Sequence, residues 1–155
     1  NRKFWNTKQS ISKVCKQIKW GINMEDELIN ILSEFGYGVF LQGSLTKDEP
    51  YPNDFFTFWN VSSDSTSYYD NEETSIIYEY DVNFYSTDPE RVYTVLRELK
   101  KILKDNKFIV SGDGHSVVSD EKTHTGRGYT IYYRKEQAEW KLKNSVALEV
   151  QLLQK

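Results

Sequence analysis

Cysteine, methionine, histidine and proline are all scarce: the 155 residues contain one, one, two and three of them. A lone cysteine, Cys15, has no partner for an internal disulfide, so a cross-linked framework of the small secreted kind is excluded. No apolar run approaches the roughly 20 residues that a membrane-spanning helix requires. No charged start followed by an apolar stretch marks a secretory signal, and synthesis in the cytoplasm is the expectation. An excess of positive charge is also missing. The 20 Lys and Arg stand against 23 Asp and Glu, a net −3. These charges read as scattered along the chain, so no face is reserved for a polyanion, and nucleic acid is not an expected partner.

What is plentiful is aromatic: 15% of the residues, including 11 Tyr and 4 Trp. Tyr and Trp join apolar area to a polar tip and are favoured at protein interfaces, so a binding surface is expected. The length is that of one domain able to bury a single core. The chain opens on Asn1, and its only methionine, Met24, heads a helical pattern. A start at Asn1 after processing or missing residues and an original start at Met24 both fit.

From Lys3 to Trp20, Trp5, Ile11, Val14, Cys15 and Ile18 recur at three- and four-residue spacing among lysines, which predicts an amphipathic helix with a thin apolar stripe. That stripe suits packing on protein better than on a membrane. Gly21 stops this helix and Asn23 is the expected N-cap of the next, Met24 to Phe35, which buries Leu28, Ile31, Leu32 and Phe35. Val39 to Gln42 reads as a short strand, and Gly43 to Asn53, with Pro50 and Pro52, as a loop. Asp54 to Val61 reads as a strand, and Ser62 to Glu73, nearly without aliphatic residues, as a long exposed loop.

Ser75 to Tyr85 gives the clearest strand: Tyr78, Tyr80, Val82 and Phe84 fall on one face, Glu79, Asp81 and Asn83 on a wet one. Thr87-Asp88-Pro89-Glu90 starts a helix whose stripe runs from Val92 to Leu103. Phe108 to Ser111 is a short strand, Gly112 to Thr125 a polar loop, and Gly128 to Arg134 a strand alternating Tyr129, Ile131 and Tyr133 against Thr130 and Tyr132. The remainder fits both a strand and a helix, with helix favoured. The expected fold is α+β: a largely antiparallel sheet of about four to five strands with helices on one face. Residues 1–23 and 137–155 are expected as helical extensions of a domain spanning 24–136.

Catalytic constellations are thin. His115 and His124 share a polar stretch with Asp113 and Asp120, but a metal site needs three or four converging ligands, and a polar connection accounts for these residues more simply. Thr123 to Gly128 lacks the Lys-Ser/Thr ending of a phosphate loop and opens a strand, which leaves Arg127 for an ion pair. Cys15 has no neighbouring His in sequence, and no Gly-x-Ser-x-Gly elbow occurs. No enzyme activity and no cofactor are expected.

Four stretches resemble the tail-terminator and tail-completion proteins that Gram-positive long-tailed phages and prophages encode among their head-to-tail joining genes. They are Gly38-Val39-Phe40-Leu41-Gln42-Gly43-Ser44-Leu45, the run from Tyr51-Pro52-Asn53-Asp54 to Phe58-Trp59, the run from Tyr80-Asp81-Val82-Asn83 to Asp88-Pro89, and the run from Ser119-Asp120-Glu121 to Arg127-Gly128. The resemblance implies a non-enzymatic virion protein of the tail or neck. It would form a ring, typically a homohexamer, that caps the tail tube, ends its polymerisation and docks to the head connector. Its implied partners are other copies of itself, the tail tube protein and a connector or stopper protein.

A closed ring uses two unlike surfaces per subunit. Tyr51, Phe55, Phe56, Phe58 and Trp59 are candidates for one, with core packing an equally good account of each. Glu79, Asp81 and Asn83, together with His115, His124 and Arg127 of the loop, are candidates for the other. Competing readings are a head-completion or stopper protein of the same joint, a small metal-dependent enzyme using Asp113, His115, Asp120 and His124, and a monomeric adaptor binding a host protein.

Overall fold

Alternation of apolar and polar residues needs a buried face and a partner strand on either side, and the strand Glu72–Ser86 (β3) has both. In a computed structural model describing residues 23–46, 48–136 and 149–154, β3 lies between Asp54–Tyr69 (β2) and Thr125–Glu136 (β6), antiparallel to each. Gly38–Leu41 (β1) pairs with β2 in parallel, and Ile109–Val110 (β4) and His115–Val117 (β5) line the far side of β6. Among the described residues the sheet therefore has six strands, in the order β1-β2-β3-β6-β4 with β5 also on β6. The α+β class with a mostly antiparallel sheet holds; the additional strand is β5, inside the segment expected to be loop.

Both described helices of any length cover one face. The first, α1, spans Met24–Ser33 and the second, α2, spans Pro89–Asp105. Their buried stripes, Met24, Leu28, Ile31 and Leu32 on α1 and Val92, Val95, Leu96, Leu99 and Leu103 on α2, join Phe56, Phe58, Tyr80, Val82, Phe84, Tyr129 and Ile131 in one apolar cluster. At roughly 1.5–3 kcal/mol per buried large apolar side chain, this cluster is the main stabilising contribution.

The helix ends differ in how they are closed. Asp88 caps α2 with its carboxylate, accepting from the Glu90 amide at 3.0 Å. Asn23 occupies the N-cap position of α1 in extended backbone, but its side chain makes no cap bond. The end of the chain, 149–153, is helical. The predicted helix at Lys3 to Trp20 and the first part of the C-terminal extension, 137–148, lie outside the described residues.

Ser62 to Glu73 is not a loop. β2 runs through Tyr69, the chain reverses over Asp70 and Asn71, both at positive φ (53° and 62°), and β3 begins at Glu72. Two consecutive left-handed residues give the two-residue turn whose twist suits a hairpin, and Asp and Asn tolerate that conformation best after Gly. The ribbon stands beyond the core, so no apolar alternation is needed to hold it. Hydroxyls serve instead: Thr66 and Ser67 lie 2.6 and 2.8 Å from the Ser75 hydroxyl, and Ser65 donates to Glu73. Such cross-strand pairs contribute about 0.2–1 kcal/mol each. Three register shifts, between Asn60 and Tyr68, increase its twist.

Asn83 departs from expectation as well. It belongs to the face away from the helices, yet it is 1% exposed and its amide has no hydrogen-bond partner among the described residues. The space it fills is provided by Gly128, its register partner on β6: a Cβ there would stand 1.9 Å from Asn83 Oδ1 and 2.8 Å from the Val82 carbonyl oxygen. Glycine at 128 is thus required by close approach. Gly128→Ala is expected to lower unfolding stability by about 1–3 kcal/mol in urea denaturation. Asn83→Ala in that background should recover part of the loss, because it removes the nearer of the two obstructions.

Candidate functional site

Pairing across the three long strands fixes which side chains point away from the helices. They are Phe55, Thr57 and Trp59 on β2, Glu79, Asp81, Asn83 and Tyr85 on β3, and Gly126, Gly128, Thr130 and Tyr132 on β6. Aromatic and polar residues segregate along this face.

At one end the rings converge on Phe55. It stacks on Tyr85 with centroids 5.1 Å apart and meets Phe40 at 6.0 Å, Tyr51 at 5.5 Å and His124 at 5.8 Å, each edge-on. The His124 Nε2–H donates to the Pro52 carbonyl at 2.8 Å, which leaves Nδ1 to accept from the Thr123 hydroxyl at 3.0 Å. This imidazole clips the segment preceding β6 to the loop preceding β2. Burial pushes the Tyr85 hydroxyl above its ordinary 10.0, against a hydrogen bond with Thr57 that lowers it.

Beneath this corner, Asp54 ties three elements together. It accepts from the Ser86 hydroxyl at the end of β3 and from Arg91 of α2 at 2.6 Å, and Ser86 in turn accepts from the Asp88 amide at 3.0 Å.

Further along the face, carboxylates are held by hydroxyls. Thr130 donates to Asp81 at 2.7 Å, while the hydroxyls of Ser62 and Tyr132 reach Glu79 at 3.4 and 3.5 Å. Desolvation first, then the charges of Glu79 and Asp81, keep the Tyr132 hydroxyl neutral above its ordinary 10.0. Glu79 and Asp81 thus share the polar face expected of them, whereas Asn83 beside them is buried.

The remaining candidates separate. Phe56 and Phe58 point to the opposite face and are buried beneath the helices, and Phe55, though on the open face, is buried by its ring neighbours. These three are corrected to core and corner packing, because a side chain already enclosed within one chain offers no surface to another. Tyr51 and Trp59 are half-buried and keep accessible area. His115 is exposed on β5, opposite Gly128. Arg127 is engaged: its Nη2 donates to the carbonyls of Asp113 at 2.9 Å and Gly114 at 3.2 Å, and its guanidinium lies 5.0 Å over the Tyr93 ring. It braces the β4–β5 connection on α2 through main-chain carbonyls, where an ion pair was expected.

Among the described residues no three His, Cys, Asp or Glu side chains form a group able to hold a metal ion, and no helix is long and apolar enough to cross a membrane. Phe40 and Tyr85 were not among the sequence candidates. Tyr85 could have been found, since it continues the parity of Glu79, Asp81 and Asn83.

Two outcomes test this geometry. His124→Ala should cost about 1–2 kcal/mol through the lost hydrogen bond and ring contacts, and should speed exchange of the Thr87 amide, which donates to the Asn53 carbonyl of the clipped loop at 3.0 Å. On the helix-covered face, burial, then Glu25 and Tyr78, hold the Tyr80 hydroxyl neutral up to about 12 against an ordinary 10.0. The folded state therefore keeps this proton more tightly than the unfolded chain. The stabilisation is complete below pH 10 and is lost as pH rises through about 12. Denaturation midpoints should fall across that window in the native sequence and less so in Tyr80→Phe.

No protein-family model and no curated protein matches the sequence, so the fold and its corner of converging rings stand on the residues themselves.

Proposed function

We propose that this chain is a structural subunit of the head-to-tail joint of a long-tailed phage. In this reading it assembles with other copies into a ring that caps the tail tube, ends its polymerisation and docks to the head connector. The observation that carries the reading is that, among the described residues, the sheet ends in two unlike edges. On one side β1 covers β2 only from Phe55 to Phe58, with Gln42 adding one bond to the Phe58 carbonyl, so the outer edge of β2 carries no described strand from Trp59 to Tyr69. On the other side stand the short strands β4 and β5. Unlike edges suit the heterologous contacts that close a ring, and an unpaired edge is a ready template for a strand from a neighbouring subunit.

The placement of the resembling stretches supports the same reading. Widely separated in sequence, three of them meet at the ring-lined corner: Tyr51 to Trp59 supplies Phe55, Tyr80 to Pro89 supplies Tyr85, and Ser119 to Gly128 supplies His124. The fourth, Gly38 to Leu45, supplies Phe40 against Phe55.

Native mass spectrometry and electron microscopy of the concentrated protein, alone and with purified tail tubes, test the proposal. A closed ring, six subunits in the type the resemblance implies, is expected at the tube end. A strict monomer at high concentration that leaves tube ends bare would contradict it.

A further inference from the structure

Charge is divided along this chain. From Asn23 to Glu90 fifteen acidic residues stand against one cation, Lys47, whereas Arg91 to Glu136 holds ten Lys and Arg against six acids. The fold carries that division onto opposite sides of the sheet. We infer that the ring contact joins these sides: the basic flank of α2 in one copy seats on the acidic flank that α1 and the β1–β2 connection present in the next. The inference rests on the ring reading and names the two surfaces of its contact.

The basic flank is built on helical spacing. Tyr93, Arg97, Lys101 and Lys104 follow one another at three- and four-residue steps, clear of the buried stripe of α2. Two contacts show which way this row faces. Lys100 beside it donates to the Gly112 carbonyl at 2.7 Å, and Arg127 packs on the Tyr93 ring, so the row is turned toward β4 and β5. Arg97, Lys101 and Lys104 are exposed and enter no ion pair among the described residues.

The acidic flank lies at the other end of the strand order. α1 packs on β1 and places Glu25 and Asp26 in its first turn, outside its own buried stripe. Asp48 and Glu49, both exposed, follow in the connection from β1 to β2. Among the described residues these four carboxylates have no ion-pair partner, and no ion pair joins α1 to α2.

The chain therefore carries both members of a complementary pair, which makes a second copy the matching partner. Both helices cover one face of the sheet, so repeating a single rotation brings basic flank against acidic flank, the heterologous contact that ring closure needs. The sheet edges beside them add apolar area: Leu41 on β1 and Ile109 on β4 are 51% and 62% exposed. Exposed ion pairs add little affinity each; their effect is to select which flank meets which and to reject like against like.

That selection gives the test. R97E/K101E/K104E leaves both flanks acidic, and E25K/D26K leaves both basic. In native mass spectrometry at one concentration, each variant alone should assemble about tenfold less than the native chain. An equal mixture of the two is expected to assemble again, in particles holding both variants one to one, and so is the chain with all five substitutions. Urea denaturation reports whether each variant folds; D48K/E49K reverses the acidic flank without touching a helix start and takes the place of E25K/D26K if that variant does not fold. Variants that each assemble alone like the native chain would overturn the inference and leave the ring standing, as would a mixture of folded variants that stays unassembled. A native chain that is monomeric throughout would remove the ring reading and this contact with it.

Discussion

Asn83 lying over Gly128 sets the register on which the rest of this sheet depends. β3 is paired with β2 and β6 along nearly its whole length, and side chains alternate with a period of two. A slip of one residue would turn Tyr80, Val82 and Phe84 away from the helices and bring Glu79 and Asp81 under them. Such a slip would also oppose Asn83 to a residue with a Cβ. At the neighbouring pair, Gly126 gives room to Tyr85, whose ring would stand 2.7 Å from an added Cβ. Two glycines on β6 thus match two larger side chains on β3. The consequence is a sheet with one helix-covered face and one open face, the latter divided into an aromatic corner and a row of hydroxyl-bound carboxylates.

The ribbon illustrates what a strand needs once it leaves the core. Backbone pairing, a left-handed two-residue turn and hydroxyl pairs hold it where apolar burial does not, and it ends in Tyr68 and Tyr69, 66% and 80% exposed. Its acidic side chains and register shifts are devices that keep an open edge from pairing indiscriminately. They leave it available to a strand brought close by assembly. The ring proposal uses its edge.

Where burial imposes a pattern, sequence and structure agree. The alternation of Tyr78, Tyr80, Val82 and Phe84, the helix start at Asp88-Pro89, and the stripe from Val92 to Leu103 were legible because each is dictated by one face meeting the core. The ribbon was not, since its residues answer to no core; the legible signal was Asp70-Asn71 flanked by Tyr, Ser and Thr. Asn83 reads as a wet-face residue until the neighbouring strand is known to carry glycine. Phe55, Phe56 and Phe58 look alike in sequence, and only the pairing of β2 assigns the first to one face and the others to the opposite one. His124 meets Pro52 across 72 positions, a contact no local pattern encodes.

The central claim is that Ser62 to Ile77 is a paired ribbon whose outer β2 edge carries no strand among the described residues and, in the proposed ring, is closed by a neighbour. Residue-resolved amide exchange, measured on the monomer and on assembled material, addresses it most directly. In the monomer, amides facing the β2–β3 ladder should be protected, while the alternate amides of 60–69 that face outward exchange freely. Those outward amides should become protected in the assembly. Free exchange of every amide from 62 to 73 in the monomer would contradict the ribbon, and outward amides that stay unprotected in the assembly would contradict the open edge as the site of contact.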